Sequence, residues 1–187
     1  MTDLSALHGI LQAQDWPRAE RLLRRAAQKK GAPAEVYYNL AKVLEARGKP
    51  AQRQIWLKRA VSERPDYAMA WFELGRAALD DGDLVAAAQA FDTAARLAPE
   101  DHEARRLSAQ LALRLGDWEK AKAGFAESTD SEARLARYRI AAEQGEDTTA
   151  ARAALLRDPE MRPAVLRVLT RTAKGTLPLK LPQFERT

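Results

Sequence analysis

The sequence predicts an all-α chain assembled from packed helix pairs, and three observations predict it. Ala, Leu, Arg and Glu dominate the 187 residues, while Val, Ile and Thr are sparse. The former lose little rotamer freedom in a helix, and the latter are what strands are built from. Apolar residues recur at three- and four-residue steps, the period of one helix face. Finally, the pattern repeats every 34 residues, which marks a supersecondary unit that buries its apolar face only against its neighbours.

In chain order, the first pair spans about residues 1–31. Leu4, Leu7, Ile10 and Leu11 mark its first helix. Asp15 is an N-cap for the second, Pro17 fits a first turn that needs no intrahelical amide, and Trp16, Ala19, Leu23 and Ala26 follow. The second pair, 34–65, carries Tyr37, Leu40, Ala41 and Leu44, then Gly48, Leu57, Ala60 and Pro65. Arg53 stands where a small residue belongs. An outward-turned Arg53 stem, or Ala51 in its place, is the expectation. The third pair, 68–99, is the clearest: Trp71, Leu74, Gly75 and Ala78, the stop-and-cap Gly82-Asp83, then Ala87, Phe91, Ala94 and Pro99. Gly75 and Ala87 are small where two helices of a pair would cross closely.

In the fourth pair, 102–128, the second helix repeats well as Gly116-Asp117-Trp118, Ala121 and Phe125. The first helix is less regular. Arg105 and Ser108 fall where apolar residues are due, and Ala104, Leu107, Leu111 and Leu115 form a stripe shifted by one residue. A small insertion or a rotated helix is the expectation. The fifth pair, 131–157, shows Leu135, Tyr138 and Ala142, a turn at Gly145, then Ala150 and Ala154. A last helix, 160–173, carries Val165, Leu166, Val168 and Leu169 and would cap the array. The whole of 1–173 reads as one domain. Residues 174–187 alternate Leu with Pro178 and Pro182, which favours an extended tail. Trp16, Trp71 and Trp118 sit at repeat positions and are expected in the core, with Trp56 partly exposed.

Trp71-x2-Leu74-Gly75, Ala87-x3-Phe91 and Pro99 together resemble the tetratricopeptide repeat, with Ala78 where that pattern has an aromatic. The resemblance implies a right-handed superhelix, an α-solenoid of about five helix pairs plus the capping helix. It also implies a concave groove, lined by the first helices of the pairs, that holds an extended peptide. Carried over position by position, the groove residues would be Tyr38, Asn39, Lys42, Met69, Phe72, Glu73, Arg76, Leu79, Arg106, Gln110 and Arg139. Helical spacing agrees for two of the helices. Tyr38, Lys42 and Glu45 share a face other than that of Tyr37, Leu40, Ala41 and Leu44. Phe72, Arg76 and Leu79 share a face other than that of Trp71, Leu74 and Ala78.

Catalytic and metal-binding sets are missing from the sequence. Cysteine is absent, the two histidines, His8 and His102, are far apart, and no zinc spacing, phosphate loop or nucleophile elbow occurs. Asp80-Asp81-x-Asp83 reads as a turn with an N-cap. The expectation is a non-enzymatic scaffold or adaptor, without cofactor, that binds a protein or peptide partner. Met1-Thr2-Asp3-Leu4-Ser5 has neither basic start nor apolar run, and no stretch approaches ~18 apolar residues. A secretory leader and a membrane span are thus not expected, and cytoplasmic residence is. The net charge of +5 leaves a second reading open: nucleic-acid binding through Arg21, Arg24, Arg25, Lys29 and Lys30, or through Arg134 and Arg137. A third is a homo-oligomer in which the Leu-Pro tail docks on another copy.

Overall fold

A computed structural model describes residues 6–172. Among the described residues there are eleven α-helices, one 3₁₀ turn and no strand, so the protein is all-α. The chain divides into two compact units, within Met1–Leu115 and Gly116–Thr187. The boundary falls between the two helices expected to form the fourth pair. The tail at 174–187 lies outside the described residues, as does Leu4.

The first unit holds α1 (Leu7–Gln12), α2 (Trp16–Ala27), α3 (Ala34–Ala46), α4 (Arg53–Glu63), α5 (Ala68–Asp80), α6 (Leu84–Leu97) and α7 (His102–Leu115), with the 3₁₀ turn Pro50–Gln52 before α4. Each helix packs on the next. Aspartates start the second helices as expected: Asp15 Oδ1 accepts from the Arg18 amide at 3.0 Å and Asp83 Oδ1 from the Ala86 amide at 2.9 Å. These bonds satisfy donors that a helix start leaves free. Gly82, at φ 77°, makes the left-handed turn out of α5.

The buried positions keep the repeat's register. Helix α3 buries Val36, Tyr37, Leu40, Ala41, Val43 and Leu44, and α5 buries Ala70, Gly75, Ala77 and Ala78 at the equivalent places. Helix α7 continues the series with Ala104, Ala109, Leu111 and Ala112. The expected insertion or rotation is therefore corrected: α7 keeps the 34-residue register. Arg105 lies on its exposed side, Ser108 is small enough to be buried, and Leu115 is 44% exposed. The second helices likewise align Ala19, Arg53 and Ala87, all buried, as well as Leu23, Leu57 and Phe91.

Gly75 marks the closest approach. A Cβ there would lie 2.8 Å from the Phe91 ring. Phe91 is fully buried and meets Phe72 edge-on at 5.3 Å, so it has nowhere to withdraw. The tryptophans sit further out than expected. Trp16 and Trp71 are half-buried against the apolar cluster around Leu23, Leu40 and Leu44, and Trp71 Nε1 donates to the Pro65 carbonyl at 2.8 Å. A large amphipathic ring gains burial for its body while its N–H keeps a partner at the edge. Trp118 is also half-buried. Trp56 is half-exposed as expected, parallel to Tyr37 at 6.1 Å and under the Arg59 guanidinium at 4.8 Å.

The second unit holds α8 (Trp118–Gly124), α9 (Ser131–Glu143), α10 (Thr149–Leu156) and α11 (Arg162–Thr172). Asp117 and Asp130 cap α8 and α9. Its core joins Tyr138, Leu155, Val165 and Val168. Gly145 makes the expected turn at φ 76°, but Ala150 and Ala154 are exposed and Leu155 carries the packing of α10. On the last helix Val165 and Val168 are buried while Leu166 is 49% exposed. Among the described residues no helix is long and apolar enough to cross a membrane.

Gly75→Ala isolates the close crossing. In an open helix this change stabilises by up to about 1 kcal/mol. Here the added methyl must displace Phe91, and a net loss of about 1–3 kcal/mol is expected in urea unfolding. A variant as stable as the parent would refute the contact.

Candidate protein-interaction face

Helices α3 and α5 lie one repeat apart, so equivalent side chains on them form adjacent rows. Tyr38, Lys42 and Glu45 come from α3, and Glu73 and Arg76 from α5. Lys42 Nζ donates to Glu45 Oε2 at 3.0 Å and to Glu73 Oε1 at 2.8 Å. Arg76 donates to Glu73 at 3.0 and 3.2 Å and reaches back to Glu45 Oε1 at 3.2 Å. Two cations and two carboxylates thus form a closed, cross-linked square between the helices.

Arg53 joins the square from below, and this corrects the expectation of an outward-turned stem. The residue is only 2% exposed. Its guanidinium donates to Glu45 Oε1 at 2.5 Å and to the carboxylate of Asp80 at the end of α5. A long side chain at a position filled elsewhere by alanine is accommodated because its charge is bonded at both forks, as burial requires. The Asp80 and Asp83 carboxylates are thus both in use, one on Arg53 and one as a cap.

The electrostatics follow from this crowding. Burial pushes the Glu45 carboxyl up, and the bond and charge of Lys42, with the charges of Arg53 and Arg76, outweigh it and hold it below the usual range. Burial works against the Lys42 ammonium, and the Glu73 and Glu45 carboxylates more than offset it and raise its value. Tyr38 is raised by burial and then by the charge of Glu73. Both shifts favour the charged forms of Glu45 and Lys42.

Of the eleven groove residues expected from the repeat, the structure brings Tyr38, Lys42, Glu73 and Arg76 together. Tyr38 is half-buried, with its ring 5.2 Å from Tyr67, itself under the Arg64 guanidinium at 3.6 Å. Met69 is the open apolar element of α5, at 58% exposure. Asn39 is half-buried. Phe72 and Leu79 pack into the cluster around Phe91 and Leu111, and Phe72 is therefore less available than spacing alone implied. Arg106 is exposed and Gln110 half-buried on α7. Arg139 belongs to the second unit, where its Nε lies 3.9 Å from Glu143 and Arg171 takes the same carboxylate at 2.9 Å. Burial, then the Arg171 charge, pulls the Arg139 guanidinium down.

A second charged knot has no counterpart in the sequence reading. Glu20 of α2 is 6% exposed. It accepts from Arg24 Nε at 2.8 Å, from Lys49 at 3.3 Å and from Arg47. Burial raises its carboxyl, but the bonds from Arg24, Arg47 and Lys49 prevail and hold it at about 2. Arg24 also donates to Gln52 at 2.8 Å. Arg137 donates to the carbonyls of Phe125 at 2.6 Å and Ser128 at 2.7 Å. Two of the cations suggested for nucleic acid are thereby engaged in holding the fold. In the sequence only Arg24, at the i+4 position, stands near Glu20, while Arg47 and Lys49 are distant.

Sequence comparison places the repeat directly. Tetratricopeptide repeat models match residues 34–67, 57–102 and 86–128. The chain belongs to the tetratricopeptide repeat family. Its fold is similar to that of a tetratricopeptide repeat protein from Parabacteroides merdae, at 18% identity and a TM-score of 0.62, covering 91% of this chain and 72% of that one. It is also similar to a MamA protein, at 18% identity and a TM-score of 0.61, covering 94% of each chain. At such identities the likeness concerns the fold alone. No curated protein matches the sequence.

Two variants test the charged groups. Glu20→Gln is expected to lower stability at pH 7 by about 2 kcal/mol. A depressed carboxyl stabilises above its unfolded value and loses that contribution as pH falls through the folded one. The gap between variant and parent in urea unfolding should therefore narrow below about pH 4.5 and close near pH 2. A gap that ignores pH would contradict the knot. Arg53→Ala should cost about 2 kcal/mol, and Arg53→Met clearly less. Met refills the space, Glu45 keeps Lys42 and Arg76, and Asp80 returns to water. Equal losses would show that charge, rather than volume, dominates there.

Proposed function

We propose that this chain is a non-catalytic scaffold that holds an extended segment of a partner protein along the α3–α5 face. Repeats of this family generally mediate protein–protein interaction. The observation that carries the reading is the ion-paired Lys42 and Arg76 beside the half-buried Tyr38, on a face whose α5 helix also carries Met69, 58% exposed and one turn before Glu73. Aromatic and methionine side chains supply apolar contact area, and a guanidinium already held in place binds a carboxylate or carbonyl with little further ordering cost. Arg76 and Lys42 keep 42% and 36% of their side chains exposed, so both remain within reach of a ligand. The partner segment that fits is extended, with an apolar side chain for Met69 and the tyrosines and an acceptor group for the two cations. Arg24 and Arg137 are tied down internally, which favours this reading over nucleic-acid binding.

The test uses peptides selected by phage display against the full chain. Met69→Glu places a charge on the open apolar side chain of α5 and should weaken the selected peptides at least tenfold in fluorescence anisotropy. Val85→Glu, on α6 at 56% exposure in the parent residue, should leave them unchanged. Retained affinity in Met69→Glu, or equal loss in both variants, overturns the assignment.

A further inference from the structure

The second unit contains a cavity of about 360 Å³ bounded by α8, α9, the α9–α10 turn and α10. That volume falls within the range of small-ligand sites. Its walls are unevenly divided. Ile140, Ala151 and Leu155 supply an apolar surface. Tyr138 also lines it, is 1% exposed, and its hydroxyl has no hydrogen-bond partner. Buried hydroxyls are ordinarily bonded, because nothing else replaces the water they give up. That hydroxyl is closed off from solvent, so the Tyr138 contribution to the wall is its ring.

The rim has a polarity of its own. Lys122 of α8 and Arg134 of α9 line it, and neither has an ion pair among the described residues. Arg137 stands with them, and the hydrogen bonds of its guanidinium go to neutral backbone carbonyls. On the far side, at the α9–α10 turn, are Glu146 and Asp147. Asp147 Oδ1 accepts from the Thr149 amide at 2.9 Å, at the start of α10. Lys122 and Arg134 thus lack, among the described residues, the carboxylates that balance the cations around Glu20 and Glu45.

We propose that this cavity binds a small apolar carboxylate. Its hydrocarbon body lies on Ile140, Ala151 and Leu155, and its anionic group faces Lys122 and Arg134. The site is separate from the α3–α5 face and does not rest on the reading of that face.

Calorimetric titration of the full chain with sodium octanoate tests this, with octylamine as the cation of equal chain length. Saturable 1:1 binding of octanoate, at least tenfold tighter than octylamine, is expected. The double variant Lys122→Ala/Arg134→Ala changes exposed side chains only and should weaken octanoate at least tenfold. Ala154→Trp, which fills the cavity from an exposed wall position, should abolish binding. No saturable octanoate binding, equal binding of octylamine, or full affinity in the double variant overturns the proposal.

Discussion

Phe91 occupies the space that a methyl group on residue 75 would need, and much of the first unit follows from that one contact. Because residue 75 is glycine, α6 comes close enough to α5 for the ring to seal the crossing. Phe72 then meets Phe91 edge-on and is drawn toward the core. That leaves Met69, Glu73 and Arg76 as the part of α5 that faces α3 and solvent. The geometry of the charged face is thus set by packing on the opposite side of the same helix. Close-packed interiors transmit such constraints because they have few voids in which to absorb them.

The same column of small residues shows how the repeat tolerates an exception. Ala19 and Ala87 need no partner to be buried there. Arg53 needs two, and it finds them in Glu45 and Asp80. A buried ion pair of this kind is weak evidence of added stability, since desolvation takes back most of the Coulombic gain. What it does fix is geometry: Glu45 is held from below by Arg53 while Lys42 and Arg76 hold it from the solvent side.

Much of the fold was legible from residues alone, because helix caps, turn glycines and apolar spacing are local. Asp15 and Asp83 cap the helices they were expected to cap, and α7 keeps a register that its sequence only obscured. Ser108 and Arg105 break the apolar pattern, yet Ser108 is small enough for the core and Arg105 points away from it. The charged interactions were less legible. Arg53 could be seen to be out of place, but its burial depends on carboxylates contributed by two other helices. Glu20 has one local partner, Arg24 a turn further along α2, but Arg47 and Lys49 join it only through the packing of α2 on the end of α3. Tyr38, Lys42, Glu73 and Arg76 were assignable by position within the repeat. What spacing could not reveal was that they neutralise one another.

That mutual neutralisation has a kinetic consequence. Lys42, Arg53 and Arg76 stand against Glu45, Glu73 and Asp80, so the α3–α5 face carries as many negative as positive groups, and the chain's surplus of +5 resides elsewhere. A surface without net charge projects little field beyond a Debye length and does little to accelerate diffusional encounter. A partner segment held there, as proposed, would be selected by lifetime, through how slowly the matching one leaves rather than how fast it arrives.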